Sequence, residues 1–224
     1  MRFRHFFVYP LLVISISCFA KEQENHDSMI LIDFINENLP GFYETQSNKE
    51  FLKNGNSKSE DSYILTTIIV PFQKSQLGDN LFYLEEFKNN DPTLIVRRRI
   101  YSFWVENNKV KLRLLNPLKD LKFPPLDANY KNGIPSRLDF VRSLSADDFY
   151  PDRDVCVLNI TKFMNKVVAR METHKCNREE TWIDYELIID KDGLWTCFAR
   201  RKIKDDSLFW LQMPKAPCFW QLRY

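Results

Sequence analysis

Thr181-Trp182-Ile183-Asp184-Tyr185-Glu186-Leu187-Ile188-Ile189-Asp190 is followed by Lys191-Asp192-Gly193 and then by Leu194-Trp195-Thr196-Cys197-Phe198-Ala199-Arg200-Arg201-Lys202. Two runs rich in β-branched and aromatic residues meet at a short polar turn ending in glycine, which predicts a β-hairpin. The same grammar continues on both sides. Upstream, strands are expected over 63–72, 80–87, 93–105, 109–115, 154–160 and 166–173, with Asn107-Asn108 as another tight turn. Downstream, strands are expected over 208–213 and 218–223. That makes about ten strands in sequence order. An antiparallel sheet of this length leaves two unpaired edges unless it closes on itself. Closure gives a mainly β protein, an up-and-down barrel of the calycin or lipocalin kind, which often encloses one ligand. A two-sheet sandwich is the alternative. No internal repeat points to a propeller.

Helices are sparse. Ser28 can cap a helix running to Asn38, with Met29, Leu31, Ile32 and Ile35 as its apolar stripe and Leu39-Pro40-Gly41 as its stop. Residues 46–61 are polar and read as a loop. A long proline-bearing connection over 116–154 contains a short helix over 136–144, capped by Ser136.

Composition narrows the function classes. The chain has 224 residues, 44% hydrophobic and 28% charged, an ordinary globular balance. With only 5 glycines and no G-x-G-x-x-G or Walker-type loop, the usual nucleotide folds are excluded. The formal charge of +2 comes from Arg2 and Arg4, and the rest is balanced, which argues against nucleic acid as a partner. Those two arginines precede an apolar run, Phe6 to Ile16, and then Cys18-Phe19-Ala20. This is the outline of a secretory signal peptide over 1–20, leaving 21–224 as a single domain. The run is too short for a spanning helix, which needs about 20 residues, so no stable membrane insertion is expected after cleavage. The expected destination is periplasmic, secreted or lumenal.

Export changes the reading of the cysteines. After cleavage Cys156, Cys176, Cys197 and Cys218 remain, an even number in an oxidising compartment. Cys156 and Cys176 flank one hairpin and are expected to pair with a small register correction. The partners of Cys197 and Cys218 stay open. With no C-x-x-C, and only His26 and His174 left, no metal site is expected.

Three stretches resemble the CpcT/CpeT family of phycobiliprotein chromophore lyases. Phe82-Tyr83-Leu84-Glu85-Glu86-Phe87 and Val96-Arg97-Arg98-Arg99-Ile100-Tyr101 are similar to a Tyr-x-Glu-Gln strand and a Tyr-Arg-Gln-Arg-Val-Tyr strand of that family. Asp154-Val155-Cys156-Val157 supplies a cysteine in the matching place, and Thr181-Trp182-Ile183-Asp184-Tyr185-Glu186 is similar to Thr-Tyr-x-x-Ser-Glu. Phe209-Trp210 and Ala216-Pro217-Cys218-Phe219 look like the family's C-terminal motifs. Glu86 and Arg98 stand where the family has glutamine, and Ala199-Arg200-Arg201 replaces an Asp-Arg-Gly segment.

The resemblance implies a ten-stranded barrel that binds a linear tetrapyrrole (a bilin) and attaches it to a cysteine of a phycobiliprotein β subunit. The acceptor thiol comes from the client, so no metal or organic cofactor is implied, with the bilin itself as ligand or substrate. Side chains alternate along a strand, so Arg97, Arg99, Tyr101 and Phe103 share one face of theirs. Arginines match carboxylates bidentately, which suits the two propionates of a bilin. Arg97 and Arg99 are therefore the expected ligand-binding residues, with Tyr83, Trp182 and Trp210 lining the site. Glu85 and Glu186 are expected to orient the arginines. With Tyr101, they are the candidate proton donors of a lyase. The alternative is a binding protein for a tetrapyrrole or another apolar acid, without catalysis.

Overall fold

The structure is a computed structural model. It describes residues 26–45, 64–74, 77–125, 130–150, 156–211 and 218–224, with the backbone alone at 130–133 and 210–211. The expected signal peptide lies outside the described residues. Twelve strands form: β1 (Gly41–Thr45), β2 (Leu65–Lys74), β3 (Gly78–Lys88), β4 (Ile95–Glu106), β5 (Lys109–Leu115), β6 (Leu158–Phe163), β7 (Lys166–Met171), β8 (Asn177–Arg178), β9 (Thr181–Asp190), β10 (Gly193–Lys202), β11 (Leu208–Leu211) and β12 (Cys218–Arg223). Ten of them close into an antiparallel ring in the order β10-β12-β1-β2-β3-β4-β5-β6-β7-β9, with β9 pairing back to β10. The barrel expected from the sequence is therefore present.

Its membership differs from the simple up-and-down reading. β1 was not anticipated: the chain leaves its first helix at Pro40 and enters a five-residue strand at once. β12 pairs with the first half of β10, from Gly193↔Leu222 to Cys197↔Cys218. β11 pairs only with the far half, Ala199 to Arg201, and stands outside the ring. β6 begins at Leu158 rather than at 154, because residues 156–157 are still outside the ladder.

Most turns use the expected chemistry. Asn89, Asn90, Asn107 and Asn108 all adopt positive φ between 51° and 60°, the left-handed region that asparagine tolerates. Gly193 is different. It lies in the strand beyond the turn, and an added Cβ would sit 2.6 Å from the Trp220 ring. The glycine is required by the close approach of β12, not by the turn.

Two helices flank the barrel. Helix α1 (26–38) plugs one end, with Ile35 and Leu39 fully buried against Phe82, Phe103, Leu112 and Leu187. Ser28 is inside the helix rather than its cap, and its Oγ donates to the Asn108 carbonyl at 2.7 Å. Helix α2 (Tyr130–Ser143) lies on the outer wall, starting six residues earlier than expected and running through Pro135. Packing of Ile134 on Ile68 and Phe87 offsets what the proline costs the helix. Val141 and Leu144 cover Tyr83 and Ile100 in the same way. Among the described residues no helix is long and apolar enough to cross a membrane.

Both disulfides form. Cys156 and Cys176 pair as expected, and Cys197 pairs with Cys218 directly across the β10–β12 seam. Two such bonds suit an oxidising compartment.

Candidate functional site

Strand β4 carries Arg97, Arg98 and Arg99 through the barrel wall, and alternation sends them to opposite sides. Tyr101 and Phe103 belong to the interior core, so Arg97 and Arg99 face inward, toward the end of the barrel opposite α1. The shared face of Arg97, Arg99, Tyr101 and Phe103 read from alternation is present.

The inner acid is Glu86, not Glu85. Glu86 lies opposite Arg97 in the β3–β4 register, and its carboxylate is 3.3 Å from the Arg97 guanidinium. Thr67 Oγ1 lies 3.5 Å from the other carboxylate oxygen, and Gln221 Nε2 donates to Thr67 Oγ1 at 2.7 Å. Arg99 donates its Nε to Asn116 Oδ1 at 3.0 Å, and its guanidinium stands 5.3 Å from the centre of the Tyr185 ring. Its Nη1 is buried and has no hydrogen-bond partner among the described residues. Burial, and then the like charge of Arg97, lowers the pKa of Arg99. Below it the Tyr101 and Tyr185 hydroxyls share a hydrogen bond of 2.9 Å. Burial and the neighbouring Tyr185 push Tyr101 well above the usual phenol range.

The inner end of the barrel thus holds two guanidiniums against one carboxylate, beside two hydrogen-bonded phenols. Further down, the interior is filled by Tyr43, Phe82, Phe103 and α1. A ligand would have to sit in the arginine-lined half. Among the described residues no cluster of His, Cys, Asp or Glu is placed to hold a metal.

The other expected site residues lie elsewhere. Tyr83 and Glu85 are on the outer face of β3, sealed beneath α2 and its connection. There Glu85 accepts from Tyr83 Oη at 2.9 Å and from Arg98 Nε at 3.0 Å, with Arg137 Nη2 at 3.6 Å. Phe123 lies against this group, 4.5 Å from the Arg98 guanidinium and 5.7 Å from that of Arg137. Glu85 therefore cannot orient Arg97 and Arg99. Glu186 is also outward, since Tyr185 and Leu187 take the inner positions of β9, and it pairs with Arg170. Trp182 stands on that outer wall against His174, with ring centres 5.5 Å apart. The side chain of Trp210 lies outside the described residues. Of the three candidate proton donors only Tyr101 is inside the barrel.

Near Glu186 the outer wall bears a cleft of about 480 Å³, between Arg170–His174 and Arg201–Asp206. An ion pair of Arg201 with Asp184 at 3.0 Å and a hydrogen bond between His174 Nε2 and Asp206 Oδ1 at 3.1 Å close its sides.

Comparison with known proteins adds the fold. The CRL protein of Arabidopsis, solved in selenomethionine form, is similar in structure. It superposes with a TM-score of 0.56 at 11% identity, over 90% of this chain and 99% of that one. At that identity the likeness concerns architecture alone. No family model matches the chain, and no curated protein is similar to it in sequence.

Sequence reasoning missed Glu86, Asn116 and Tyr185. Parity could have found Glu86, because it shares a face with Phe82 and Leu84. But Leu81 and Tyr83 make the other face of β3 equally apolar, so hydrophobicity did not say which side faced in.

Proposed function

We propose that this protein is an exported calycin-type carrier for an apolar ligand bearing carboxylates, with a linear tetrapyrrole as the candidate. The observation that carries this reading is the charge excess inside the arginine-lined half of the barrel. Arg97 and Arg99 face one acid, Glu86, and Arg99 keeps a buried donor without a partner among the described residues. A buried guanidinium with an unused donor favours an anion, and a carboxylate fits its fork. Tyr101, Tyr185 and Phe198 supply the apolar and aromatic surroundings that a conjugated ring system prefers. The motif resemblance to the bilin lyases points to the same ligand. Export through the leader over 1–20 agrees with the two disulfides.

Carriage is favoured over transfer. Two of the three acids and phenols that a lyase would need stand outside the barrel wall. The test is a titration with biliverdin followed by absorption and tyrosine and tryptophan fluorescence. Wild type should bind and shift the bilin spectrum, and Arg99→Gln should weaken binding by about 10- to 150-fold, the equivalent of one charge-assisted contact. Absence of binding in the folded wild type refutes the reading. Modification of a cysteine on an added phycobiliprotein β subunit would replace carriage by lyase activity.

A further inference from the structure

The outer wall beside the plugged end carries an apolar band that the barrel's own packing does not use. The registers Thr161↔Val168, Val168↔Ile188, Ile188↔Trp195 and Trp195↔Trp220 put these residues at one level across five neighbouring strands. Their strand neighbours Val167, Leu187 and Leu194 fill the interior, so the band points outward. Val168 and Ile188 are half-buried, and Trp195 and Trp220 lie against each other with ring centres 4.9 Å apart.

One step nearer the barrel end, the β6–β7 hairpin projects Phe163 and Met164, 62% and 80% exposed. Met164 holds φ at 55°, and it is the one apolar residue among the positive-φ positions described. Elsewhere those positions are taken by asparagine, aspartate, glutamate, histidine or, at residue 78, glycine. Left-handed backbone costs a methionine about 1 kcal/mol or more, and exposure wastes its side chain.

Lys162 and Lys166 flank the tip, and Lys191 sits on the adjacent β9–β10 turn. Of the acids at this end, Asp190 is paired with Lys166 at 2.8 Å and Glu106 with Lys111, which leaves Asp27 and Asp192 against Lys109, Lys162 and Lys191. The hydrogen bond from Ser28 Oγ to the Asn108 carbonyl also places the start of α1 at this same end.

We propose that this end of the barrel docks on an anionic bilayer surface, with Phe163 and Met164 inserted at the acyl boundary, Trp195 and Trp220 at headgroup level and Lys109, Lys162 and Lys191 on lipid phosphates. An apolar tip bordered by tryptophan and lysine is the arrangement that interfacial binding rewards. The barrel's arginine-lined half would then face away from the membrane.

The experiment is co-sedimentation of the protein, isolated from an exporting host, with vesicles of phosphatidylcholine containing 30% phosphatidylglycerol (about the charge of an anionic membrane). Wild type should bind, and more weakly at high salt. Phe163→Ser with Met164→Asn should weaken binding at least tenfold. Asparagine accepts the left-handed backbone, so this variant should unfold at the same temperature as wild type or higher. Quenching of tryptophan fluorescence by lipids brominated near the headgroup should fall in Trp195→Phe with Trp220→Phe. The proposal is overturned if wild type does not bind these vesicles. It is overturned equally if the folded tip variant binds as well as wild type, or if the tip instead drives association between copies of the chain.

Discussion

Replacing Glu86 by glutamine should destabilise the barrel by about 3 kcal/mol, and the reason can be worked from the geometry. The carboxylate is 3.3 Å from the Arg97 guanidinium, with side-chain exposures of 2% and 14%. At an effective dielectric of about 20 that separation corresponds to an attraction of about 5 kcal/mol, part of which repays desolvation. Glutamine keeps the volume and removes the charge, leaving Arg97 and Arg99 as neighbouring cations without an inner acid. Breaking a buried pair on one side usually costs about 3–5 kcal/mol. Partial access of water to Arg97 puts this case at the lower end. Equilibrium urea unfolding reads the loss directly. With a slope of about 2 kcal/mol/M, the midpoint should fall by about 1.5 M. Arg97→Gln in the Glu86→Gln background should restore part of the stability, giving a coupling of at least 1.5 kcal/mol or so in a double-mutant cycle. Glu186→Gln is the control. Its partner Arg170 is 69% exposed, and the change should cost less than about 1 kcal/mol. If Glu86→Gln also costs less than about 1 kcal/mol, the inner arginines are solvated and the charge excess invoked for ligand binding does not exist.

Three other outcomes follow from the fold. Replacing Cys156 and Cys176 by serine should lower stability by about 3 kcal/mol for a 20-residue loop, checked by urea unfolding, with non-reducing peptide maps confirming both pairings. Stability should fall at high pH. Burial, opposed by Arg223, raises the Tyr43 phenol from 10.0 to about 12, so its contribution is complete below about pH 10 and is lost as pH rises through 12. Tyr83 and Tyr101 shift the same way, and tyrosinate absorbance should rise together with unfolding rather than before it. Gly193→Ala should cost about 2 kcal/mol or more and open the β10–β12 seam first, read as faster hydrogen exchange at residues 193–197.

The sequence alone determined most of the local elements, though not β1 or the two-residue β8. Period-two alternation, asparagine turns and the Asp190–Gly193 hairpin act between residues a few positions apart, so they are written in the order of the chain. The shared face of Arg97, Arg99 and Tyr101 is of the same kind, because it follows from the pleat of one strand. The pairing of Cys156 with Cys176 was legible because both flank one hairpin. What only the tertiary structure decided depends on elements distant in sequence. Helix α2 covers the outer wall and makes both faces of β3 apolar, so only packing could say that Glu86 faces in and Glu85 faces out. β12 enters between β10 and β1, which displaces β11 from the ring, requires the glycine at 193 and brings Cys218 to Cys197. Closure of the ring fixed each of these, and closure is a property of all ten strands together, which no single stretch of the chain encodes.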